Sequence, residues 1–370
     1  DDTEQVERAS RIRLDNFYMD NNGKNRASSF LITKEPRSRQ EVNKLIEDDG
    51  SEVTSQEEIL NRLEGKFRST VGELFQPEME LSEFLEKYQV ELPTLSDELR
   101  DTMDEEFTEQ EVGAALSSAK AGAAPGPSGQ TSAIFKYLLA EVPSLLVKAL
   151  NELTFVPGLA RAPMFEWMFA RTIKYIPKPG KSTDRACNLR PLSLLESLYK
   201  LQTRMLSNRL TLALDEICFA DQHGFRRDRS IQTATLPVLE ALQDAQQSNQ
   251  ALQIISVDLK SAFDCIAPSL IREVMELYGF PQLYVDALHQ LTHRGTGMLC
   301  VNSMLGGKFD INNGSGQGDP PSAGRFNIGT DPLLRALHRI TEEFRYRLRM
   351  GRRIPVTAFA DDHQHVTQVR

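Results

Sequence analysis

Three short segments, in a fixed order along the chain, constrain its fold more than any other feature of the sequence. Segment 256–264 reads Ser-Val-Asp-Leu-Lys-Ser-Ala-Phe-Asp, segment 314–322 reads Gly-Ser-Gly-Gln-Gly-Asp-Pro-Pro-Ser, and segment 359–362 reads Phe-Ala-Asp-Asp. The first aspartate ends an apolar, strand-like run, and the paired aspartates of the third segment lie in a second such run. If those two strands are neighbours in one sheet, their carboxylates lie close together.

Asp258, Asp361 and Asp362 have the chemistry that metal-assisted phosphoryl transfer needs. Two magnesium ions about 3.5–4 Å apart can activate a primer hydroxyl and stabilise a leaving pyrophosphate. Magnesium prefers hard oxygen ligands and keeps several waters, so two or three aspartates suffice. Asp-Asp also occurs at 1–2 and 48–49, in polar surroundings typical of solvated surface. Alternating apolar residues precede only the third pair, so we expect it on a strand.

Periodicity predicts helices and strands without strict alternation. A chain of 370 residues with 40% hydrophobic content can bury a core and form more than one lobe. The strands are expected at 170–179, 252–259 and 355–360, with a hairpin of 297–301 and 307–311. The helices are expected at 55–75, 133–155, 194–214, 230–246, 268–278, 281–292 and 331–345. This mixture indicates an α+β fold.

Charge and composition divide the chain. The first 120 residues carry a net charge of −14 and the remaining residues +5, although the whole chain is at −9. We expect a polar linker over 1–60 and an acidic helical leader over 61–120, followed by a Gly/Pro break at 121–129. The basic part is the one that would meet phosphates, although ordinary surface variation explains +5 about as well.

Targeting signals are not apparent in the sequence. No apolar stretch is long enough to cross a membrane, and the N-terminus does not read as a secretory signal. We therefore expect a nuclear or cytoplasmic protein without a membrane partner. The first residue is not methionine, which suggests a segment of a longer protein.

Several other residues are candidates for nucleotide contacts. Phe263 follows Asp258 by five positions, where a bulky ring can block a ribose 2′-hydroxyl; a plain core phenylalanine is the alternative. Gln317 offers a donor and an acceptor in a loop of small residues. Lys178 and Arg190 flank a Pro-Gly-Lys-Ser-Thr stretch and could clamp a triphosphate; a solvated basic loop is the alternative.

Taken in order, these motifs resemble the reverse transcriptase of a non-LTR (LINE-type) retrotransposon. The three opening segments resemble its three catalytic motifs. Four further stretches also resemble parts of that family, and a weaker resemblance covers 20–120 through the stretch 22–30. The upstream matches are 176–180 with 188–194 (a fingers segment), 199–200 with 207–210 (the following helix), 222–226 (the joint of fingers and palm) and 125–129 (an extra N-terminal motif).

The resemblance implies a right-hand polymerase, with fingers over 121–250 and an incomplete palm over 251–370. It implies RNA-templated DNA synthesis from a nicked DNA primer, with dNTPs and two Mg²⁺ ions. A fused endonuclease and a thumb are expected in the full-length polyprotein, and without the thumb we expect weak template binding. The residues that it implies are Asp258, Asp361 and Asp362 as catalytic metal ligands, Phe263 as sugar gate, and Lys178, Arg190, Gln317 and Gly318 as nucleotide contacts.

The chain departs from the family pattern at several positions. Phe359 stands where tyrosine is usual, Gly316 replaces arginine, Ser128 replaces aspartate, and Leu189 replaces an aromatic residue. None of these changes removes a metal ligand. Three alternatives remain: a viral RNA-dependent RNA polymerase, a group II intron-type reverse transcriptase, and an inactive or repurposed RNA-binding fragment.

Overall fold

The computed structural model describes most of the chain, and its elements all belong to the unit Val42–Arg370. The described residues are 41–72, 78–119, 124–178, 180–259, 262–314 and 316–368. Most of the expected polar linker, including the stretch 22–30, lies outside them. None of the described helices is long and apolar enough to cross a lipid bilayer.

Strands and helices are mixed along the chain, as an α+β fold requires. The strands are β1 (Leu45–Ile46), β2 (Glu52–Val53), β3 (Ala170–Pro177), β4 (Leu189–Leu195), β5 (Leu252–Asp258), β6 (Gly295–Val301), β7 (Met304–Ile311), β8 (Thr357–Phe359) and β9 (Asp362–Gln368). The helices are α1 (Gln56–Val71), α2 (Leu81–Lys87), α3 (Asp97–Asp104), α4 (Glu109–Ser117), α5 (Ala133–Glu141), α6 (Pro143–Phe155), α7 (Ser197–Ile217), α8 (Ile231–Ser248), α9 (Ala262–Cys265), α10 (Pro268–Leu277), α11 (Gln282–Thr292) and α12 (Ser322–Ile340).

Two of the sheets carry the candidate site residues. One has the strand order β5-β9-β8 and is antiparallel throughout. The other has the order β4-β3-β6-β7, in which β3 runs parallel to β6 and the remaining pairs are antiparallel. The hairpin expected from 297–311 is confirmed as β6 and β7. The strand expected before the Asp-Asp pair is confirmed as β8.

Two clusters of buried apolar side chains form most of the core. The larger one surrounds α7 and includes residues of α3, α4, α10 and α11, so part of the acidic segment packs into it. The smaller one lies where α1 covers the four-stranded sheet. Representative members are Tyr199, Leu206, Tyr278 and Tyr284 in the first cluster, and Ile59, Leu63, Ile173 and Phe309 in the second.

The helix predicted at 331–345 is present, but both of its bounds were wrong, since it begins at Ser322 and ends at Ile340. Its first turns contain glycines, which weaken a helical pattern in the sequence. Close packing explains them. A Cβ on Gly324 would lie 2.8 Å from the Leu210 side chain, and one on Gly329 would lie 3.2 Å from Ile266. The small residues let α12 approach its neighbours closely.

Two further boundaries differ from prediction for local reasons. The helix expected at 194–214 begins at Ser197, because β4 continues through Leu195. The helix expected at 133–155 is two helices, and Pro143 opens the second. Proline suits the first position of a helix because the amide hydrogen that it lacks would have no partner there.

Arg209 of α7 forms hydrogen bonds with residues of the acidic segment 61–120. Its side chain is only 5% exposed, and it donates to both carboxylate oxygens of Glu111 at 2.8 and 3.1 Å. It also donates to the carbonyl of Glu105 at 2.7 Å and lies over the Phe107 ring. Burial alone would raise the pKa of Glu111, but hydrogen bonds from Arg209 and Thr108 outweigh burial and lower it.

We expect Arg209→Met to lower the free energy of unfolding by about 3–5 kcal/mol, because it leaves a carboxylate and carbonyls without their buried partner. Urea unfolding at pH 7 measures this loss. Arg204→Met is the matched control on the same helix, since Arg204 makes one exposed hydrogen bond to Ser118. Equal destabilisation by the two variants would contradict the prediction.

Candidate active site

The two strand ends predicted to carry carboxylates are neighbours. Asp258, the last residue of β5, lies directly opposite Asp362, the first residue of β9. The amide of Leu259 donates to the carbonyl of Asp361 at 3.3 Å, which continues the pairing into the turn. Directly opposed residues project to the same face of a sheet, so the carboxylates of Asp258 and Asp362 share one face.

The three carboxylates influence one another electrostatically. Partial burial raises the pKa of Asp362, and the like charges of Asp361 and Asp258 raise it further. Hard carboxylate oxygens suit Mg²⁺, and a divalent cation would relieve this repulsion, so the residues fit the ion chemically. Across the described chain, however, no group of three or more His, Cys, Asp or Glu is arranged to hold a metal ion.

Ala360 and Asp361 lie between β8 and β9, and we call them the aspartate turn. The Phe263 ring lies in an aromatic group beside this turn. It stacks on Phe326 at a centroid distance of 4.4 Å, and Phe225 contacts it edge-on at 5.5 Å. Phe263 is partly buried and packs in one cluster with Phe326 and Ala360. The ring therefore has core contacts on one side and remains partly accessible, so it can serve both as packing and as a gate.

The loop that carries Gln317 lies against β4. The Ser193 amide donates to the Gln317 carbonyl at 2.9 Å. Gly318 has φ +106°, and a Cβ there would lie 2.9 Å from the Ser193 carbonyl, so only glycine fits. Beneath the loop, the Tyr199 hydroxyl donates to the buried carboxylate of Asp319 at 2.7 Å. Gln317 is thus held beside the strand that contains Arg190.

Lys178 and Arg190 lie towards the hairpin end of β3 and β4. Arg190 pairs with Ile176 and is exposed, while the Lys178 amide donates to the Asn188 carbonyl at 2.8 Å. Gln317 contacts β4 further along, near Ser193. The two basic residues therefore share a hairpin with the Gln317 contact, and the aspartates belong to the other sheet.

Two polar residues at the site were not identified as functional candidates from the sequence. Asp264 follows Phe263 and lines a small cleft with Arg171 and Gln317. Burial raises the pKa of Asp264 to about 6. Arg171 is buried too, and its Nε lacks a hydrogen-bond partner among the described residues. The sequence signal for Asp264 was its place at the end of the segment 256–264, and Arg171 lies in the strand expected at 170–179.

Because of Asp264, the stability of the folded protein should fall as the pH rises from 4 to 7. A carboxyl whose pKa is about 6 when folded and 3.8 when unfolded favours the folded state most below pH 4, and this contribution is lost as the pH rises through 6. The side chain in the Asp264→Asn variant cannot ionise. This variant should therefore keep the roughly 2–3 kcal/mol of unfolding free energy that the wild-type protein loses between pH 4 and 7. Thermal or urea unfolding against pH, with exposed Asp310→Asn as control, measures the difference. An unchanged pH profile in Asp264→Asn would contradict it.

The family model for reverse transcriptase (RNA-dependent DNA polymerase) matches residues 176–368. The chain is 24% identical over 338 residues to "Transposon TX1 uncharacterized 149 kDa protein" of Xenopus laevis, covering 90% of this chain and 25% of that protein. It is 28% identical over 233 residues to "Retrovirus-related Pol polyprotein from type-2 retrotransposable element R2DM" of Drosophila melanogaster, covering 62% and 21%.

A third relative is "Probable RNA-directed DNA polymerase from transposon BS" of Drosophila melanogaster, 29% identical over 207 residues, covering 53% of this chain and 22% of that protein. The chain thus spans between about a fifth and a quarter of the length of these relatives. The family match covers more than half of the chain and includes both strands that carry the aspartates. The chain belongs to the reverse transcriptase (RNA-dependent DNA polymerase) family.

Proposed function

We propose that this chain carries the polymerase centre of a non-LTR retrotransposon and extends a DNA primer on an RNA template. The observation that carries the proposal is the register of β5 and β9, which sets Asp258 opposite Asp362 with Asp361 in the adjoining turn. Family membership and the retrotransposon names of the relatives support it.

In this proposal Asp258, Asp361 and Asp362 hold the metal ions. With two Mg²⁺ bound, the site would have Lewis-acid chemistry for activating the primer hydroxyl and stabilising the pyrophosphate. The carboxylates would bind and orient that group, and the β5–β9 register keeps Asp258 and Asp362 on one face. Burial raises the pKa of Asp362, and repulsion from Asp361 and Asp258 raises it further; a divalent cation would relieve that repulsion.

The remaining residues would bind and select the nucleotide. Phe263 would lie against the sugar and exclude a 2′-hydroxyl, while its stack on Phe326 keeps the ring in place. Arg190 would bind the triphosphate through its planar guanidinium, which can donate two parallel hydrogen bonds, and Lys178 would bind it through its compact ammonium charge. Gln317 and Gly318 would contact the base or sugar, Gln317 with a donor and an acceptor, while Gly318 lets their loop lie close to the Ser193 carbonyl.

The proposal extends to the wider protein. Residues 121–250 would form the fingers and 251–370 part of the palm, preceded by the linker and the acidic leader. An endonuclease and a thumb in the full-length polyprotein would supply the nicked DNA primer and hold the template, and the protein would act in the nucleus or cytoplasm. An inactive RNA-binding fragment is the competing function, and it predicts binding without synthesis.

Loss of a metal ligand tests the reaction directly. We expect Asp258→Asn or Asp361→Asn to lower Mg²⁺-dependent primer extension on RNA by more than about a hundredfold, because each removes a charged ligand. The protein is expressed from its complete reading frame, and RNA binding is measured beside synthesis. The double variant Asp48→Asn/Asp49→Asn is the control, since that Asp-Asp pair is exposed.

Unchanged synthesis in Asp258→Asn would overturn the assignment of the catalytic centre. A wild-type protein that binds RNA and yet makes no DNA would favour the inactive fragment instead. Faster incorporation of rNTPs than of dNTPs by the wild-type protein would favour an RNA polymerase.

Phe263 tests sugar selection. We expect Phe263→Ala to raise the ratio of ribonucleotide to deoxyribonucleotide incorporation by roughly 10- to 100-fold, because the ring no longer excludes the 2′-hydroxyl. Phe263→Tyr keeps the ring and should keep the ratio. Phe280→Ala is the packing control, since Phe280 is buried against Tyr284. This variant should lower stability and leave the incorporation ratio unchanged. A ratio that stays constant in Phe263→Ala would reduce that residue to core packing.

A further inference from the structure

The turn that presents the paired aspartates contains a strained residue. Phe359 pairs with Asp362, so Ala360 and Asp361 form a two-residue turn between β8 and β9. Ala360 has φ +57°, a left-handed conformation that suits glycine and disfavours a residue with a Cβ. Because Asp361 and Asp362 follow it directly, the conformation of Ala360 decides where both carboxylates point.

One buried side chain bonds to both backbone groups of this strained residue. Gln222 is 2% exposed, and its Nε2 donates to the Ala360 carbonyl at 3.3 Å. Its Oε1 accepts from the Ala360 amide at 3.1 Å and from the Gly224 amide at 2.8 Å. Two backbone donors converge on Oε1, which fixes the orientation of the side-chain amide. Gln222 therefore stabilises the left-handed conformation that Ala360 would otherwise adopt poorly.

The backbone around Gln222 reinforces this contact. The Ala358 amide donates to the Asp221 carbonyl at 2.9 Å, and the His223 amide donates to the Ala358 carbonyl at 2.8 Å. A Cβ on Gly224 would lie 2.2 Å from the Ala360 nitrogen, so this approach requires glycine. Residues 221–225, which we call the support loop, thus continue the sheet beside β8.

The same loop reaches the candidate sugar gate. Phe225 has φ +58° and is 48% exposed, yet its ring contacts Phe263 edge-on at 5.5 Å. From the other side, Asn327 of α12 donates to the Gly224 carbonyl at 2.9 Å, one residue from Phe326, on which Phe263 stacks. The support loop is therefore in contact with the aspartate turn and with the gate ring at once.

We propose that the support loop is a positioning element of the reaction centre, in which Gln222 acts through Ala360 to set Asp361 and Asp362 for metal binding. The proposal rests on the proposed function, because it takes these aspartates as metal ligands. Gln222 is a positioning residue: it touches the turn and no reacting atom. Replacing Gln222 should weaken metal binding and lower turnover, and should leave the affinity for the nucleotide nearly unchanged.

The first test measures metal binding without turnover. Mn²⁺ binding to the 370-residue chain is followed by electron paramagnetic resonance, with Asp361→Asn as the reference for loss of a ligand. We expect Gln222→Ala to weaken binding roughly 10- to 100-fold, as loss of an outer-shell partner does. Gln222→Glu should weaken it too, because a carboxylate oxygen then faces the Ala360 carbonyl.

A second substitution separates positioning from general destabilisation. Glycine adopts a positive φ without strain, so Ala360→Gly should restore Mn²⁺ binding in the Gln222→Ala background to within about threefold of wild type. Gln202→Ala is the matched control. Gln202 is another fully buried glutamine, which donates to the Thr154 hydroxyl at 3.2 Å. Its loss should lower the unfolding midpoint and leave Mn²⁺ affinity unchanged.

In the protein from the complete reading frame, Gln222→Ala should lower kcat and raise the Mg²⁺ requirement by a similar factor, with KM for dNTPs within about twofold. Unchanged Mn²⁺ affinity in Gln222→Ala, equal loss in Gln202→Ala, or no rescue by Ala360→Gly would each overturn the inference. If the inference fails in one of these ways but Asp361→Asn still abolishes DNA synthesis, the proposed function remains supported. Wild-type Mn²⁺ binding that does not depend on Asp361 would overturn both.

Discussion

The register between β5 and β9 is the constraint on which the candidate site depends. Side chains on neighbouring strands alternate between two faces, so a slip of one residue would move Asp362 to the opposite face from Asp258. The pairing holds from Leu252 opposite Gln368 through Asp258 opposite Asp362. On β9, Val366 packs into an apolar cluster with α8 and the segment around Tyr346. Apolar packing at one end of the strands therefore fixes the chemistry at the other.

Close backbone approach is a second requirement shared by several parts of the site. Gly318 lets the Gln317 loop lie on β4, Gly224 lets the support loop lie on the aspartate turn, and Gly324 lets α12 lie on α7. In each case a Cβ would come within 2.9 Å of a neighbouring atom. The glycines bring three separate segments to the distances at which backbone hydrogen bonds and ring contacts form.

Much of this arrangement was predictable from local pattern. The strand before Asp258, the hairpin of β6 and β7 and the strand before the Asp-Asp pair all follow from apolar alternation and turn residues. The start of α12 did not follow, because its glycines serve packing between helices, which a pattern along one helix cannot reveal. The family resemblance drew attention to 222–226. However, the contact between the Gln222 side chain and Ala360 joins residues far apart in sequence and has no local signature.

The pairing of β5 with β9 also has a consequence for folding. Between Asp258 and Asp362 the described chain forms the helices α9 to α12, the β6–β7 hairpin and β8, so the contact of these two residues is strongly non-local. Closing so long a loop is entropically costly and slow compared with forming hairpins and helices. We infer that the candidate active site is among the last parts of the molecule to assemble. Until β9 arrives, both edges of β5 are unpaired, and the strand contains Ile254, Ile255 and Val257. A nascent chain stalled at this stage would therefore be prone to association through that strand.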